Sequence, residues 1–217
     1  MITPRIKICC ISSIEEARMA IKYGASAIGL VGKMPSGPGI ISGELISRIT
    51  KSIPPPINTF LLTSETTAET IVDQYKKVNT TTIQIVDELD QKEYKKIRKS
   101  LPHVKLVQVI HVRNSESIIQ AREISEYVDA ILLDSGNPSL RVKELGGTGR
   151  THNWELSKKI RESIKPPLFL AGGINKDSVK EAVNKVQPFG IDLCSGVRTN
   201  GNLDERKLKD FFNAISN

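Results

Sequence analysis

The stretches Ala171-Gly172-Gly173-Ile174 and Cys194-Ser195-Gly196-Val197 decide the fold of this chain. Each follows a short apolar run and precedes a helical pattern. Glycine lets the backbone approach an anion closely, and the next helix directs free N–H groups and the positive end of its dipole at that anion. In an eight-stranded α/β barrel the phosphate site lies after the seventh and eighth strands. The two stretches therefore predict strands seven and eight of such a barrel, with six more strands before them.

The rest of the chain supplies those six strands. Short apolar runs alternate with helical patterns from Arg5 onward, and no break in composition divides the chain. Strands that are apolar throughout are typical of a parallel sheet covered on both faces. Eight strand–helix pairs in 217 residues favour a closed barrel, and an open doubly wound sheet is the alternative. We therefore expect one (β/α)8 TIM barrel, an α/β fold, as a single domain over residues 1–217.

The composition narrows the class of protein. Apolar residues make up 39% and charged residues 25%, ordinary values for a globular protein. We find neither a run of about 18 apolar residues nor the apolar segment of a signal peptide, so we expect a cytoplasmic protein with no membrane partner. The net charge of +7 indicates either a solvated lysine-rich surface or attraction of anionic ligands such as sugar phosphates. Nucleic-acid binding is disfavoured, because basic residues are spread out and aromatic residues reach only 5%.

Polar residues at strand ends are the candidates for chemistry, because barrel active sites lie at the C-terminal ends of the strands. Lys7 and Cys9 are two residues apart and share one face of strand one, so an inward face places Cys9 near that rim. Asp134 ends strand six, and Asp192 lies in strand eight. Each has a structural alternative, since cysteine is often buried for packing and aspartate often caps a loop.

The remaining cysteines and histidines carry weaker signals. The three cysteines predict neither a disulfide framework nor a CxxC zinc site, so we expect no metal. We expect Cys10 and Cys194 to be structural and His111 to be an interior histidine with satisfied ring nitrogens. His152 is open to either a structural or a functional role.

Five stretches, in order along the chain, resemble one enzyme family. Lys7-Ile8-Cys9-Cys10-Ile11-Ser12 resembles its opening Lys-Ile-Cys-Gly-Ile-Thr, and Leu132-Leu133-Asp134-Ser135 resembles its Leu-Leu-Asp-Thr/Ser. Gly146-Gly147-Thr148-Gly149-Arg150-Thr151-His152-Asn153-Trp154 resembles Gly-Gly-x-Gly-x-x-Phe-Asp-Trp. Ala171-Gly172-Gly173-Ile174-Asn175 and Asp192-Leu193-Cys194-Ser195-Gly196-Val197 are similar to Ser/Ala-Gly-Gly-Leu-Asn/Thr and Asp-Val-Ser-Ser-Gly-Val. The family is that of the phosphoribosylanthranilate isomerases of tryptophan biosynthesis.

The resemblance implies an aldose–ketose isomerase that performs an Amadori rearrangement on a phosphorylated aminosugar, without metal or cofactor. It implies that Asp134 is the general acid that protonates the ring oxygen and that Cys9 is the general base that removes the C2 proton. It makes the small phosphorylated substrate the expected partner, and we expect a monomer or a homodimer.

The same resemblance assigns the binding residues. It implies that the backbone around Gly172, Gly173, Ser195 and Gly196 holds the phosphate. Asp192 would face the sugar. We expect Lys7 to be one of these substrate- or phosphate-binding residues. Its positive charge would also favour the thiolate form of Cys9.

Three departures concern the part of the pocket that would hold the aglycone. Ser36-Gly37-Pro38-Gly39-Ile40 stands where the family has Ser-x-Arg-x-Ile, so the arginine that grips the anthranilate carboxylate is absent. Gln84-Ile85-Val86-Asp87 stands for Gln-Leu-His-Gly, and Arg198 replaces the usual glutamate. Arg198 is therefore the expected replacement clamp or else a solvated loop residue, and Arg150 is a weaker candidate.

These departures leave the identity of the substrate undecided, whereas the reaction class that the resemblance implies is unchanged. The alternatives are a paralogue that acts on a different phosphorylated ligand and a non-catalytic protein that binds a phosphorylated ligand. We expect poor turnover of phosphoribosylanthranilate itself.

Overall fold

The computed structural model describes residues 3–136 and 151–216. In these residues eight parallel strands close into a barrel, since each strand pairs with the next and β8 pairs with β1. The predicted TIM barrel is confirmed. The strands are β1 (Arg5–Ile8), β2 (Ala27–Val31), β3 (Asn58–Thr63), β4 (Thr82–Ile85), β5 (Lys105–His111), β6 (Ala130–Asp134), β7 (Leu168–Leu170) and β8 (Gly190–Leu193).

Eight helices surround the barrel in the described part of the chain. Their ends follow ordinary capping chemistry: the Ser13 side chain accepts a hydrogen bond from the N–H of Glu16, and Gly24 ends the same helix with a φ of 112°. In the described residues, the helices are too short or too polar to cross a membrane. They are α1 (Ile14–Tyr23), α2 (Gly43–Ser52), α3 (Ala68–Val78), α4 (Gln91–Ser100), α5 (Glu116–Ser125), α6 (Trp154–Ser163), α7 (Val179–Val186) and α8 (Glu205–Ser216).

Two apolar layers form the core. The larger layer lies between the strands and the helices and contains the outward-facing strand residues, such as Ile8 and Leu133. The smaller layer fills the barrel interior, because side chains alternate between the two faces of each strand. It consists mainly of Cys9, Cys10, Ala27, Val31, Phe60, Leu62, Val86, Val107, Val109, Ala130, Leu132, Phe169 and Ala171.

A small insertion separates β8 from α8: a short helix, which the sequence predicts at this place, and a hairpin, which it does not. A 3-10 helix covers Ser195–Val197, and the next residues form a hairpin of β9 (Arg198–Thr199) and β10 (Asn202–Leu203). Asn200 and Gly201 make the turn with φ values of 50° and 82°. Asn-Gly is a strong hairpin signal, because both residues tolerate positive φ. The hairpin turns Arg198 back toward β1.

Candidate active site

A cavity of about 690 Å³, measured to its open mouth, lies at the C-terminal rim of the barrel. Side chains from strand ends all round the barrel line it, as does the loop after β2. This position and size suit a small-molecule site. Six of the residues singled out from the sequence meet in this cavity: Cys9, Asp134, Gly172, Gly173, Asp192 and Ser195.

Cys9 follows β1 and faces inward, as the strand alternation predicted. It is buried, and its N–H donates to the carbonyl of Leu193 at 2.7 Å, which continues the pairing of β1 with β8. A hydrogen bond with the Cys10 thiol lowers the pKa of Cys9, and the positive charge of Lys7 acts in the same direction, while burial opposes both. The site therefore favours the thiolate, the form of cysteine that removes protons.

Asp134 is the last residue of β6 and is buried at the cavity wall. Burial raises the pKa of its carboxyl to about 6, and the negative charge of Asp192 adds to this effect. The N–H of Ser135 donates to Asp134 Oδ1 at 2.7 Å and holds the carboxyl in place. A carboxyl with a pKa this close to neutrality is suited to give up a proton in a reaction.

Lys7 and Asp192 form an ion pair inside the barrel. Lys7 Nζ lies 2.8 Å from Asp192 Oδ1, and Lys7 is fully buried. Burial alone would lower the pKa of Lys7, but the Asp192 carboxylate together with Cys9 and Cys10 raises this pKa above its ordinary value, so the ammonium stays charged. The same ammonium lies 5.2 Å from the centre of the Phe60 ring.

The position of Lys7 changes its expected role. Lys7 does not line the cavity, so a direct contact with substrate or phosphate does not fit its place. A Cβ atom at Gly29 would lie 2.8 Å from Cys9 Sγ and 3.1 Å from Lys7 Nζ. Glycine at position 29 thus makes room for both side chains, and Lys7 acts on Cys9 through its charge from below.

The two glycine stretches meet at the rim after β7 and β8, between Asp134 at the end of β6 and Cys9 after β1. Gly172 and Gly173 have φ values of 81° and 64°, which strongly favour glycine. A Cβ atom at Gly196 would lie 2.2 Å from the carbonyl oxygen of Ile174, so the two turns pack backbone against backbone. Gly196 does not line the cavity itself, whereas Ser195 does. The arrangement leaves a polar, backbone-lined corner that suits an anion.

Arg198 occupies a different place from the one expected. Its two terminal nitrogens bond Glu16 Oε1 and Oε2 at 3.0 and 3.2 Å and the carbonyls of Cys9, Cys10 and Gly201 at 2.6–3.2 Å. The side chain is buried and does not line the cavity. The expectation of a replacement clamp for a substrate carboxylate is therefore wrong for this geometry, because the terminal N–H groups already have acceptors in the protein. The alternative, that Arg198 is a solvated loop residue, is also wrong, because its side chain is buried.

The wall formed by β2–β5 is largely apolar. It presents Val31, Leu62, Val86 and Val109, with Gln84 as its polar member. Gln84 is 97% buried, and its Oε1 has no hydrogen-bond partner in the described residues. The sequence analysis did not single out Gln84, although a polar residue in the apolar strand Thr82–Ile85 was a signal for it.

The loop after β2 completes this wall with Met34, Ser36, Gly37 and Pro38. Among the residues that the structure describes, no lysine or arginine lines the cavity. Arg150, the weaker candidate for a clamp, and most of the Gly146–Trp154 stretch lie outside the described residues.

The histidines lie away from the cavity lining. His111 Nε2 lies 3.1 Å from the carbonyl of Val86, but its buried Nδ1 has no partner among the described residues, so within them the expectation of a satisfied histidine holds for one nitrogen. His152 Nε2 lies 2.8 Å from Ser157 Oγ, and burial lowers the pKa of His152 to about 4. His152 is therefore neutral near pH 7.

Cys10 and Cys194 line the cavity, although we expected purely structural roles for them. Within residues 3–136 and 151–216 we find no cluster of three acidic, histidine or cysteine side chains suited to a metal ion.

Comparisons with known proteins agree on one family. Residues 6–214 match the family model described as N-(5'-phosphoribosyl)anthranilate (PRA) isomerase. N-(5'-phosphoribosyl)anthranilate isomerase 2 of Methanosarcina mazei is 34% identical over 98% of this chain and 94% of its own length. The crystal structure of phosphoribosyl anthranilate isomerase from Thermotoga maritima has a TM-score of 0.84 and 29% identity, covering 98% of both chains. Another such isomerase, in complex with reduced 1-(o-carboxyphenylamino)-1-deoxyribulose 5-phosphate, has a TM-score of 0.82 and 27% identity over 98% of both chains.

Proposed function

The chain belongs to the N-(5'-phosphoribosyl)anthranilate isomerase family, and we propose that it converts a phosphorylated N-aryl ribosylamine into the corresponding 1-amino-1-deoxyribulose phosphate. The reaction is an intramolecular oxidation and reduction in which C2 of the sugar is oxidised and C1 is reduced. One observation carries the proposal: a buried thiol and a buried carboxyl line one cavity together with two glycine turns.

Asp134 acts as the general acid of the first step. Its carboxyl transfers a proton to the ring oxygen, the bond between C1 and that oxygen breaks, and the nitrogen lone pair forms an iminium at C1. Burial supports this role, because it raises the pKa of Asp134 to about 6 and so keeps part of the population protonated near neutral pH.

Cys9 acts as the general base of the second step. Its thiolate removes the proton from C2, and the electrons of that C–H bond form the C1–C2 double bond of an enaminol. Tautomerisation of the enaminol places a proton on C1 and leaves the carbonyl at C2. The charge of Lys7 and the Cys10 thiol support the thiolate in this role, as their effect on the pKa of Cys9 indicates.

The glycine turns hold the substrate by its phosphate. We propose that the backbone N–H groups around Gly172, Gly173, Ser195 and Gly196 donate to the phosphate oxygens. The backbone packing of the two turns supports this proposal, because it holds both sets of N–H groups at one corner. Asp192, at the cavity wall and already paired with Lys7, faces the sugar.

The apolar wall from β2–β5 suits an aromatic aglycone. The relative solved with a reduced carboxyphenylamino deoxyribulose phosphate binds a ligand with such a ring. In the described residues, however, no guanidinium lines this wall to meet the carboxylate of anthranilate. This absence favours the second candidate, the same isomerisation of a different phosphorylated aminosugar, and supports poor turnover of phosphoribosylanthranilate.

The test measures steady-state turnover of phosphoribosylanthranilate by the loss of its fluorescence, beside complementation of a tryptophan auxotroph that lacks the isomerase. We expect turnover that Cys9→Ala lowers by roughly 10²–10⁴-fold, with a wild-type kcat/KM below the roughly 10⁴–10⁸ M⁻¹s⁻¹ usual for enzymes. Efficient turnover would contradict the second candidate. Binding of the reduced product analogue with no turnover would contradict catalysis and indicate the non-catalytic alternative.

Two further properties complete the proposal. We propose that the protein works in the cytoplasm, where a phosphorylated biosynthetic intermediate is retained, and that it is a monomer or a homodimer. Light scattering coupled to size-exclusion chromatography distinguishes the two assembly states.

A further inference from the structure

Three cysteine thiols lie together at the rim between β1 and β8. Cys10 Sγ lies 2.8 Å from Cys194 Sγ, and Cys9 lines the same part of the cavity beside them. All three are free thiols, and all three line the cavity. The acid–base chemistry proposed above uses only Cys9, so the contact between Cys10 and Cys194 has no role in it.

The backbone explains why Cys10 meets Cys194. Strand alternation would turn Cys10 outward with Ile8, but Cys10 has a φ of 61° and its side chain enters the interior layer. Gly39, from the loop after β2, supports it: a Cβ atom at Gly39 would lie 2.5 Å from Cys10 Cβ. Cys194 continues the inward face of Asp192 on β8. The two sulfur atoms are thus brought together by elements 184 residues apart in sequence.

We propose that Cys10 and Cys194 are a modification site, a dithiol that a low-molecular-weight disulfide such as glutathione disulfide converts into an intramolecular disulfide. The two sulfurs are already in contact at 2.8 Å, and the S–S bond of a disulfide is about 2.05 Å long. Cys194 is only half-buried and the cavity is open, so the oxidant reaches this thiol first.

The exchange balances in two steps. The Cys194 thiolate attacks the glutathione disulfide, forms a mixed disulfide and releases one glutathione thiolate. Cys10 then attacks the Cys194 sulfur and releases the second, while its proton passes to the departing thiolate. The protein pair loses two electrons and two protons, and one glutathione disulfide becomes two thiols.

The disulfide has a consequence for Cys9, which rests on the function proposed above. Cys10 in a disulfide has no S–H to donate to Cys9, and this hydrogen bond is the leading cause of the lowered pKa of Cys9. A rise of one pKa unit leaves about tenfold less thiolate at a pH below the pKa. We therefore expect oxidation to lower kcat roughly threefold to tenfold and thiol reductants to restore it.

The decisive experiment counts free thiols. The full chain is equilibrated in glutathione buffers of increasing oxidised fraction and then denatured in the presence of an alkylating reagent. The mass of the intact protein is then measured by mass spectrometry. We expect wild type to pass from three alkyl groups to one, without a glutathione adduct, and peptide mapping to join Cys10 to Cys194. Retention of three labels in the most oxidising buffer, a stable glutathione adduct, or a disulfide that contains Cys9 would overturn the proposal.

Matched variants make the result specific. Cys9→Ser keeps the pair and should pass from two labels to none. Cys194→Ser and Cys194→Ala lack the pair and should form no internal disulfide. A circular dichroism spectrum like that of wild type shows that each variant has folded. Two substitutions at Cys194 are used so that the test still works if one variant does not fold.

Activity measurements test the inhibitory consequence, and together with the thiol count they separate disulfide formation from the isomerase function proposed above. The ratio of the turnover rate of the oxidised protein to that of the reduced protein should fall below one in wild type. In Cys194→Ser this ratio should stay near one. Equal rates in wild type after complete disulfide formation would overturn the inhibitory consequence. A protein inactive in both states would contradict the proposed function, whereas the thiol count would still decide whether the disulfide forms.

Discussion

The two sides of the cavity differ in the chemistry they present. The side from β1, β6, β7 and β8, here called the acid–base side, carries Cys9, Asp134 and Asp192 above the buried Lys7. The side from β2–β5, here called the apolar side, carries aliphatic side chains and one amide, Gln84. The acid–base side carries most of the residues that match the motifs of the family, whereas two of the three departures, in the loop after β2 and at the end of β4, lie on the apolar side. In the function proposed above, the acid–base side sets the reaction class and the apolar side sets the choice of substrate.

A physical asymmetry underlies this difference. Charges buried on the acid–base side depend on one another, since Lys7 compensates Asp192 and both influence the pKa values of Cys9 and Asp134. Changing one of them leaves another uncompensated in a low dielectric. An apolar wall has no such coupling, because aliphatic residues exchange with small cost when volume is kept. The apolar side is thus the freer of the two to diverge.

The largest expected effect is on turnover from the acid–base side. Cys9→Ala or Asp134→Asn should lower kcat by roughly 10²–10⁴-fold with a smaller change in KM, because each removes a proton-transfer group. Val109→Ala, on the apolar side, is the matched control and should change KM more than kcat. Steady-state kinetics with a substrate that the wild-type enzyme converts gives kcat and KM for all three variants. Near-wild-type kcat in both acid–base variants would refute their assignment.

The second effect is on stability. Lys7→Met should lower the free energy of unfolding by about 3–5 kcal/mol, because it leaves the Asp192 carboxylate buried without its partner. Urea denaturation measures it, with Lys7→Met/Asp192→Leu as the control that removes both charges and should recover much of the loss. A single variant within about 1 kcal/mol of wild type would show that the pair is not coupled as described.

Arg198→Ala tests the boundary of the acid–base side. We expect a loss of about 3 kcal/mol in the free energy of unfolding, because Glu16 loses a partner that is itself buried. Substrate KM should change little, since Arg198 does not line the cavity. Arg206→Ala, in the first turn of α8, serves as a control cation. A large rise in KM with unchanged stability would restore the clamp role that the geometry argues against.

Asp134 should also give stability a pH dependence. Its pKa is raised to about 6 in the folded protein from an ordinary 3.8, so the folded state binds the proton more tightly than the unfolded state. Stability contributed by Asp134 is then present below about pH 4 and is lost as pH rises toward about 6, by roughly 2–3 kcal/mol. The difference between wild type and Asp134→Asn across that window isolates it. A constant difference would contradict the raised pKa.

The smallest effect concerns the apolar side. Gln84→Leu should raise KM about tenfold and leave kcat nearly unchanged, because Gln84 Oε1, which has no partner among the described residues, would accept a hydrogen bond from the substrate. The unliganded variant should be at least as stable as wild type, because a buried unsatisfied group is removed. Parallel KM and urea measurements check both. An unchanged KM would assign Gln84 to packing and leave the apolar side without polar recognition.

Local patterns in the sequence determined the barrel and the place of its rim. The alternation of apolar runs with helical patterns located all eight strand–helix pairs, because burial imposes those periods on any sequence that adopts this fold. Spacing by two residues put Lys7 and Cys9 on one face, and positive φ at Gly172 and Gly173 agrees with the glycine pattern. These features depend on residues close together in the chain.

The tertiary structure alone decided which distant residues became partners. Lys7 pairs with Asp192, 185 positions away, and Arg198 reaches Glu16, 182 positions away, because closure of the barrel places β8 beside β1. Cys10 faces inward against its strand alternation because of one positive φ, which the periodicity of the sequence does not encode. Periodicity specifies the face on which a side chain lies, whereas the partner of a buried charge depends on how the ends of the sheet meet.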